Sequence, residues 1–314
     1  MQLVKPPALR TGDRIGIVST SSPVSAEDLD LLTAYLGGRG YAVRVADGVL
    51  DRTGYLAGSA ARRAASLLRM FSDPEISLIM PVSGGTGASH LVDMLDYELI
   101  RAHPKLFTGF SDPSVLNNAI LAAAGLPSVH GVSGFQFFGW PDVDEQTETD
   151  FWAMVSGPIA GQEITGEGWR THRADTVAVS GPVVGGNLRR VSAVAGSRWM
   201  PATSGAIVLL EVSPATFDEV DGLLVGLRLS GVFDDIAALV IGAPADWDAG
   251  DAPDASTGEL VLRCVRGRFP VITGVAFGHQ QRKIQFPIGC RVEFDLRSER
   301  PVLRYLEDLV TLDR

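Results

Sequence analysis

The alternation of short apolar strands with helical segments most constrains how this chain can fold. The first predicted strand covers residues 14–18 and leads through a polar loop into a helix capped by Ser25. The same order repeats through strands predicted at residues 41–45, 76–82 and 106–110. Strands that alternate with helices imply a mostly parallel sheet with helices on both faces. We therefore predict an α/β fold.

A second unit follows a weakly patterned segment. Residues 135–176 mix Gly, Pro, Trp and acidic residues without a clear period, which predicts an exposed connecting segment. Further strands are predicted at residues 205–211, 236–242, 271–275 and 290–295. We predict two domains: an N-terminal α/β domain with the connecting segment, residues 1–165, and a smaller, β-rich α/β domain, residues 166–314.

Composition and charge exclude several classes of protein. The 314 residues are 46% apolar and 20% charged, as in a folded globular protein. The net charge of −10 opposes binding to nucleic acid polymers or anionic membranes. No apolar run reaches the length of a membrane span, and the first residues lack a signal-peptide core, so we expect a cytoplasmic protein. We expect Cys264 and Cys290 to be buried thiols, and no metal site or cofactor.

Three polar loops follow predicted strands of the first unit, at residues 19–23, 83–87 and 109–113. In parallel sheets, functional groups gather beyond the carboxyl ends of the strands. The Gly-rich loop 83–87 lacks both the phosphate-loop and the dinucleotide-binding patterns. A turn that offers backbone N–H groups to a developing oxyanion fits it equally well.

Ser111 is the candidate nucleophile. It lies between an apolar strand and a helix, two residues after Gly109, where a strand-to-helix turn exposes a side chain at the sheet edge. The surrounding Gly-Phe-Ser-Asp-Pro lacks the second glycine of the α/β-hydrolase pattern. The alternative is a structural Ser-Asp pair in which Asp112 caps the following helix.

A nucleophilic serine needs a base, and a base needs an orienting partner. The histidines of the chain are His90, His103, His130, His172 and His279. Both His130 and His279 follow strand-like segments, and periodicity does not separate them. Glu211 closes a wholly apolar run, where a carboxylate is either paired or reaches water as the strand ends.

Several segments together resemble the family of LD-carboxypeptidase and microcin C immunity serine peptidases. They occur in the family's order along nearly the whole chain. The segments are Pro7–Gly16, Ser83–Gly85, Leu95–Glu98, Gly109–Asp112, Val129–Gly131, Gly185–Leu188, Gly205–Glu211, Gly231–Asp234, Gly278–His279 and Phe286–Gly289.

The resemblance implies a catalytic triad with Ser111 as nucleophile, His279 as base and Glu211 as the residue that orients the base. It implies an oxyanion hole formed by the backbone N–H groups of Gly85 and Asp112. It further implies a cytoplasmic enzyme, often a homodimer, with a flavodoxin-like N-terminal domain and a β-rich C-terminal domain. His130 then becomes a structural neighbour of the site.

Two branches of this family compete. LD-carboxypeptidases usually carry Arg-Gly-Gly-Tyr-Gly where this chain has Ser83-Gly-Gly-Thr-Gly87, which favours the microcin C immunity branch. That branch often has a longer connecting loop with aromatic residues that stack on the substrate's nucleobase. Trp169 is the candidate for this role here, and the alternative is a surface or interface tryptophan. We expect a carboxypeptidase-type serine peptidase that cleaves a short peptide or a peptidyl- or aminoacyl-nucleotide of microcin C type. The alternatives are a muropeptide L,D-carboxypeptidase that releases the terminal D-Ala of murein tetrapeptide, and a non-catalytic ligand-binding protein on the same scaffold.

Overall fold

Capping residues determine where the helices of the first unit begin and end. The side chain of Ser25 accepts the backbone N–H of Asp28 at 3.0 Å, and the Asp28 carboxylate accepts the Ser25 N–H at 3.2 Å. This capping box begins the first helix. Gly125, with a φ of 66°, ends the helix that follows Ser111.

The computed structural model describes residues 2–135, 144–173, 175–244, 247–250, 256–298 and 300–312. Its first half alternates strands and helices, as predicted. The elements are β1 (Arg14–Val18), α1 (Ala26–Gly38), β2 (Ala42–Val45), α2 (Ala60–Ser72), β3 (Ile76–Pro81), a 3-10 turn (Ala88–Leu91), α3 (Tyr97–Ala102), β4 (Leu106–Gly109), α4 (Ser114–Ala124) and β5 (Ser128–His130).

The second half is richer in strands. Its elements are α5 (Glu145–Ser156), β6 (Glu163–Ile164), β7 (Arg170–His172), β8 (Ala178–Asn187), α6 (Leu188–Val194), β9 (Ile207–Glu211), β10 (Ala215–Thr216), α7 (Phe217–Leu229), β11 (Ala238–Gly242), β12 (Trp247–Asp248), α8 (Thr257–Val265), β13 (Val271–Val275), β14 (Phe286–Ile288), β15 (Arg291–Asp295) and β16 (Val302–Tyr305).

The first sheet has the order β2-β1-β3-β4-β5, with every one of these pairs parallel. This order is that of flavodoxin-like folds, which confirms the predicted fold class. Strand β14 from the C-terminal half adds to the sheet antiparallel to β5. The two halves of the chain are therefore joined through backbone hydrogen bonds.

The second sheet has the order β6-β16-β15-β8-β9-β11-β13-β7. Its central strands β8, β9, β11 and β13 are parallel, and the flanking pairs are antiparallel. The chain enters this sheet at β6. Cys264 and Cys290 are buried free thiols, as expected. No helix among the described residues is both long and apolar enough to cross a bilayer.

The prediction of an exposed connecting segment over residues 135–176 is wrong for much of its described part; residues 136–143 and 174 lie outside the described residues. Asp144 caps helix α5, whose Phe151 and Val155 are fully buried. The acidic residues of this helix masked its short apolar face. Trp169 is also fully buried, 6.3 Å from the ring of Phe294. It therefore cannot stack on a ligand in the way predicted.

The buried position of Trp169 predicts a structural effect of its substitution. Trp169→Ala should lower the free energy of unfolding by about 3–5 kcal/mol, because it removes a large buried ring and leaves a cavity. Denaturant unfolding measures this change. The KM of the folded fraction should stay near that of the unmodified protein. A raised KM with unchanged stability would instead place Trp169 in contact with substrate.

Candidate active site

Ser111 occupies a strained turn between β4 and α4. Its φ of 59° is unusual for a residue with a side chain and is typical of a nucleophile elbow. Gly109 makes this turn feasible, because a Cβ there would lie 2.4 Å from Asn117 Oδ1 and 2.9 Å from the carbonyl oxygen of Pro113. The turn thus presents Ser111 at the carboxyl edge of the first sheet.

His279 lies between Ser111 and Glu211. Its Nε2 is 3.2 Å from Ser111 Oγ, and its Nδ1 is 2.7 Å from Glu211 Oε2. The imidazole packs against the ring of Phe110, with 4.7 Å between centroids. Gly278 has a φ of 101°, and a Cβ there would lie 2.7 Å from Glu211 Oε2. The glycine therefore permits the close approach of imidazole and carboxylate.

Glu211 ends β9 and is 3% exposed. Its second oxygen, Oε1, accepts a hydrogen bond from Asn187 Nδ2 at 3.1 Å. Burial by itself raises the pKa of Glu211, but His279, His130 and Asn187 together outweigh burial and hold that pKa below its usual value. The carboxylate is therefore ionised at neutral pH and can orient the base.

Ser111 and Glu211 extend from different sheets, and buried polar contacts join the two sheets. Asn118 of α4 donates to the Gly185 carbonyl at 2.9 Å and accepts the Gly185 N–H at 3.0 Å. The Asn187 N–H donates to Ser114 Oγ at 3.2 Å, and that hydroxyl donates to the Ser111 carbonyl at 2.6 Å. These bonds fix the relative position of Ser111 and Glu211.

The Gly-rich loop lies against Ser111. A Cβ at Gly84 would lie 3.1 Å from Ser111 Cβ and 3.3 Å from its Oγ. Gly85 has a φ of 105°, and a Cβ there would lie 2.1 Å from Ser22 Oγ. The Ser22 N–H donates to the Gly84 carbonyl, and Ser22 Oγ accepts the Thr86 N–H, both at 3.2 Å. The three predicted loops therefore meet at one edge of the sheet.

The buried carboxylate of Asp112 does not cap α4, contrary to the structural alternative. It accepts the N–H of Ala88 at 2.7 Å and lies 2.8 Å from Arg190 Nε. Burial raises the pKa of Asp112, although the charge of Arg190 opposes that shift. The side chain thus anchors the loop after the Gly-Gly turn, next to the nucleophile.

A cleft of about 490 Å³ opens above Ser111 and His279. Sequence reasoning missed several of its side chains, because they follow no periodic pattern or catalytic motif. The missed residues are Asp28, Arg52 and Phe135. Phe135 is 37% exposed, so an aromatic ring does reach the cleft, but it is not Trp169.

His130 lies beside the site on β5, where it pairs with Phe286 of β14. It is fully buried between Phe110 and Phe277, with ring centroids 5.9 and 6.1 Å away. Burial lowers the pKa of His130 to about 4. The histidine within hydrogen-bond distance of Ser111 Oγ is His279, not His130.

Two family models match the two halves of the chain. A family model described as the LD-carboxypeptidase N-terminal domain matches residues 15–131, and one described as the C-terminal domain matches residues 180–294. The chain belongs to the LD-carboxypeptidase family, peptidase family S66. It is therefore an enzyme of the carboxypeptidase class, and the predicted resemblance is confirmed.

Relatives of this LD-carboxypeptidase family member carry two kinds of name. A probable murein peptide carboxypeptidase of Bacillus subtilis is 26% identical over 306 residues, covering 95% of this chain and 94% of the relative. The microcin C7 self-immunity protein MccF of Escherichia coli is 26% identical over 321 residues, covering 93% of each chain. The structure of MccF with aspartyl sulfamoyl adenosine superposes with a TM-score of 0.89 at 24% identity, covering 98% of this chain and 100% of MccF.

The neutral, buried His130 predicts how the stability of this family member depends on pH. Its folded pKa of about 4 lies below the usual 6.5, so the unfolded chain takes up a proton first as pH falls. The contribution of His130 to the free energy of unfolding is therefore complete above pH 6.5. It is lost as pH falls towards 4, and the loss is about 3 kcal/mol in total. Denaturant unfolding of His130→Gln should show a smaller loss over that window.

The exposed Ser230 provides the control for this measurement. Ser230→Ala removes no titratable group, so it should leave the pH dependence of stability unchanged between pH 6.5 and 4. An equal loss of stability in the His130→Gln variant and the unmodified protein would contradict the assignment of the pH dependence to His130.

Proposed function

We propose that this carboxypeptidase is a serine peptidase with Ser111 as nucleophile, His279 as base and Glu211 as the orienting carboxylate. The observation that carries the proposal is the position of His279, which is within hydrogen-bond distance of both Ser111 Oγ and Glu211 Oε2. A base that contacts a serine hydroxyl on one side and an orienting carboxylate on the other forms the arrangement that activates a hydroxyl for acyl transfer. The φ of Ser111 supports the same role.

The reaction proceeds through an acyl-enzyme. His279 Nε2 takes the proton of Ser111 Oγ as that oxygen attacks the substrate's carbonyl carbon. The backbone N–H groups of Gly85 and Asp112 stabilise the negative charge on the carbonyl oxygen. His279 then gives the proton to the leaving nitrogen, and the C–N bond breaks. Water, deprotonated by His279, attacks the Ser111 ester and releases the acid, which restores the hydroxyl.

We propose a short peptide or a peptidyl- or aminoacyl-nucleotide of microcin C type as the substrate. The similarity in shape to MccF with bound aspartyl sulfamoyl adenosine supports this class. The cleft that contains Ser111 is also lined by an aromatic residue, Phe135, and a cation, Arg52. A ring can stack on a nucleobase, and a guanidinium can pair with a phosphate or sulfamate group.

A muropeptide L,D-carboxypeptidase that releases the terminal D-Ala of murein tetrapeptide is the second candidate. The Bacillus subtilis relative named as a probable murein peptide carboxypeptidase supports it. The burial of Trp169 removes the one aromatic that sequence reasoning assigned to a nucleobase. In this role, Arg52 would pair with the free carboxylate of the tetrapeptide. With either substrate, we propose that the enzyme is a cytoplasmic homodimer, as the family resemblance implies.

Substitutions in the triad should abolish turnover without unfolding the protein. Ser111→Ala removes the attacking oxygen and should reduce kcat by about 10⁶-fold. Glu211→Gln should reduce kcat by on the order of 10⁴, because the base loses its preferred tautomer and the charge that stabilises its protonated form. Steady-state hydrolysis, followed by mass spectrometry, measures both effects. The exposed serine variant Ser230→Ala is the control and should keep full activity.

Near-native turnover by folded Ser111→Ala would overturn the assignment of the nucleophile. Circular dichroism and thermal unfolding of each variant show whether a loss of activity reflects chemistry or folding.

Parallel assays of two substrates separate the candidate functions. Murein tetrapeptide and aspartyl sulfamoyl adenosine should be compared at equal concentrations, and the first proposal predicts a higher kcat/KM for the nucleoside. Phe135→Ala should then raise the KM for the nucleoside by about 10-fold, as expected for one lost stacking contact, and leave the KM for the tetrapeptide nearly unchanged. A higher kcat/KM for tetrapeptide, insensitive to Phe135→Ala, would favour the muropeptide function.

A further inference from the structure

Arg190 reaches from the second half of the chain to the loop beside the nucleophile. It lies on α6, three residues after Asn187, which hydrogen-bonds Glu211. Its Nε is 2.8 Å from the buried Asp112 Oδ1. Its Nη2 is 3.2 Å from the Gly85 carbonyl oxygen and 3.5 Å from Thr86 Oγ1. One guanidinium therefore contacts both the residue after Ser111 and the Gly-Gly turn.

The turn is held from two sides. Ser22 binds it from the N-terminal unit, through the Gly84 carbonyl and the Thr86 N–H. Arg190 binds the carbonyl of the intervening Gly85 from the other unit. The carbonyl of one residue and the N–H of the next belong to one planar peptide, so fixing these groups fixes the orientation of the turn.

The backbone needs this support because Gly85 has a φ of 105° and no side chain. Glycine has the greatest conformational freedom of any residue, so a turn built on two glycines is loose unless other groups hold it. Donors that face a developing oxyanion lower the barrier only when they are already in place. The side chain of Arg190 is 22% exposed, and the planar fork of its guanidinium suits two acceptors at fixed positions.

We propose that Arg190 is a positioning residue that holds the Gly85 turn and Asp112 in register, and so assembles the oxyanion hole across the two sheets. This inference rests on the proposed serine mechanism. Arg190 contacts the turn through the Gly85 carbonyl and does not itself need to touch substrate.

Arg190→Met tests the proposal, with Arg189→Met as the matched control. Arg189 is the neighbouring residue on the same helix, and it pairs with Glu219 instead. Arg190→Met should lower kcat by about 10–100-fold with little change in KM, because the turn acts on the transition state. The rate of labelling by a fluorophosphonate probe, whose phosphoryl oxygen needs the same donors, should fall to a similar extent. Arg189→Met should change neither value.

The double variant Asp112→Asn/Arg190→Met separates positioning from charge balance. Removing Arg190 alone leaves the Asp112 carboxylate buried with less compensating charge, which could slow the enzyme by disturbing its structure. The double variant removes that charge as well. Under the proposal it folds and remains as slow as Arg190→Met. Recovery of kcat and of the labelling rate in the double variant would overturn the proposal and leave Arg190 as a counter-ion for Asp112.

Arg190→Lys provides a second test of the proposal. Lysine keeps a positive charge near Asp112 but lacks the fork that reaches two acceptors. It should keep the unfolding temperature of the unmodified protein and lose part of kcat. Full kcat in Arg190→Lys would contradict the proposal. Loss of activity in Ser111→Ala together with normal kcat in the Arg190 variants would refute this inference alone, whereas an active Ser111→Ala would refute the mechanism beneath it.

Discussion

The contacts of His279 connect the two units of the molecule. One ring nitrogen faces a carboxylate on β9 of the second sheet, and the other faces a hydroxyl beyond β4 of the first. Neither sheet alone holds a complete set of groups for acyl transfer. The site therefore exists only when the two sheets are docked, and much of the surrounding polar structure serves that docking.

The interface between the sheets contains several buried polar groups. Asn118, Asn187 and Glu211 are almost completely buried, and their hydrogen bonds connect α4, β8 and β9. Such groups are costly to bury unless they are paired, so they define one relative position of the sheets rather than several. Strand β14, which returns from the C-terminal half to pair with β5, adds backbone hydrogen bonds to the same interface.

Much of this arrangement could be predicted from the sequence because it depends on local signals. The strand-to-helix position of Ser111 and the polar loops after the strands follow from short apolar runs and capping residues. The choice between His130 and His279 did not follow from these local signals, because both histidines come after strands. Only the packing of the two sheets decides which histidine faces Ser111. Family resemblance supplied that choice, and the geometry agrees with it.

Other features escaped prediction for physical reasons. Trp169 lies in a polar-looking segment, but tertiary packing against Phe294 buries it. In the sequence, Arg190 cannot be told apart from any other charged residue on a helix, because its partners Asp112 and Gly85 are remote in the chain. Phe135 and Arg52 reach the cleft from loops without a periodic pattern. Contacts between distant segments carry no local signature, and these are the contacts that shape the substrate cleft.

In the proposed mechanism, docking of the two sheets makes Ser111 the reactive nucleophile. Peptide mapping by mass spectrometry after treatment with a fluorophosphonate tests this role, because the adduct identifies the activated hydroxyl itself. We expect one adduct, on the peptide that contains Ser111, and its loss when His279 is replaced by Ala. An adduct on another serine, or undiminished labelling of Ser111 without the imidazole, would show that His279 does not activate Ser111.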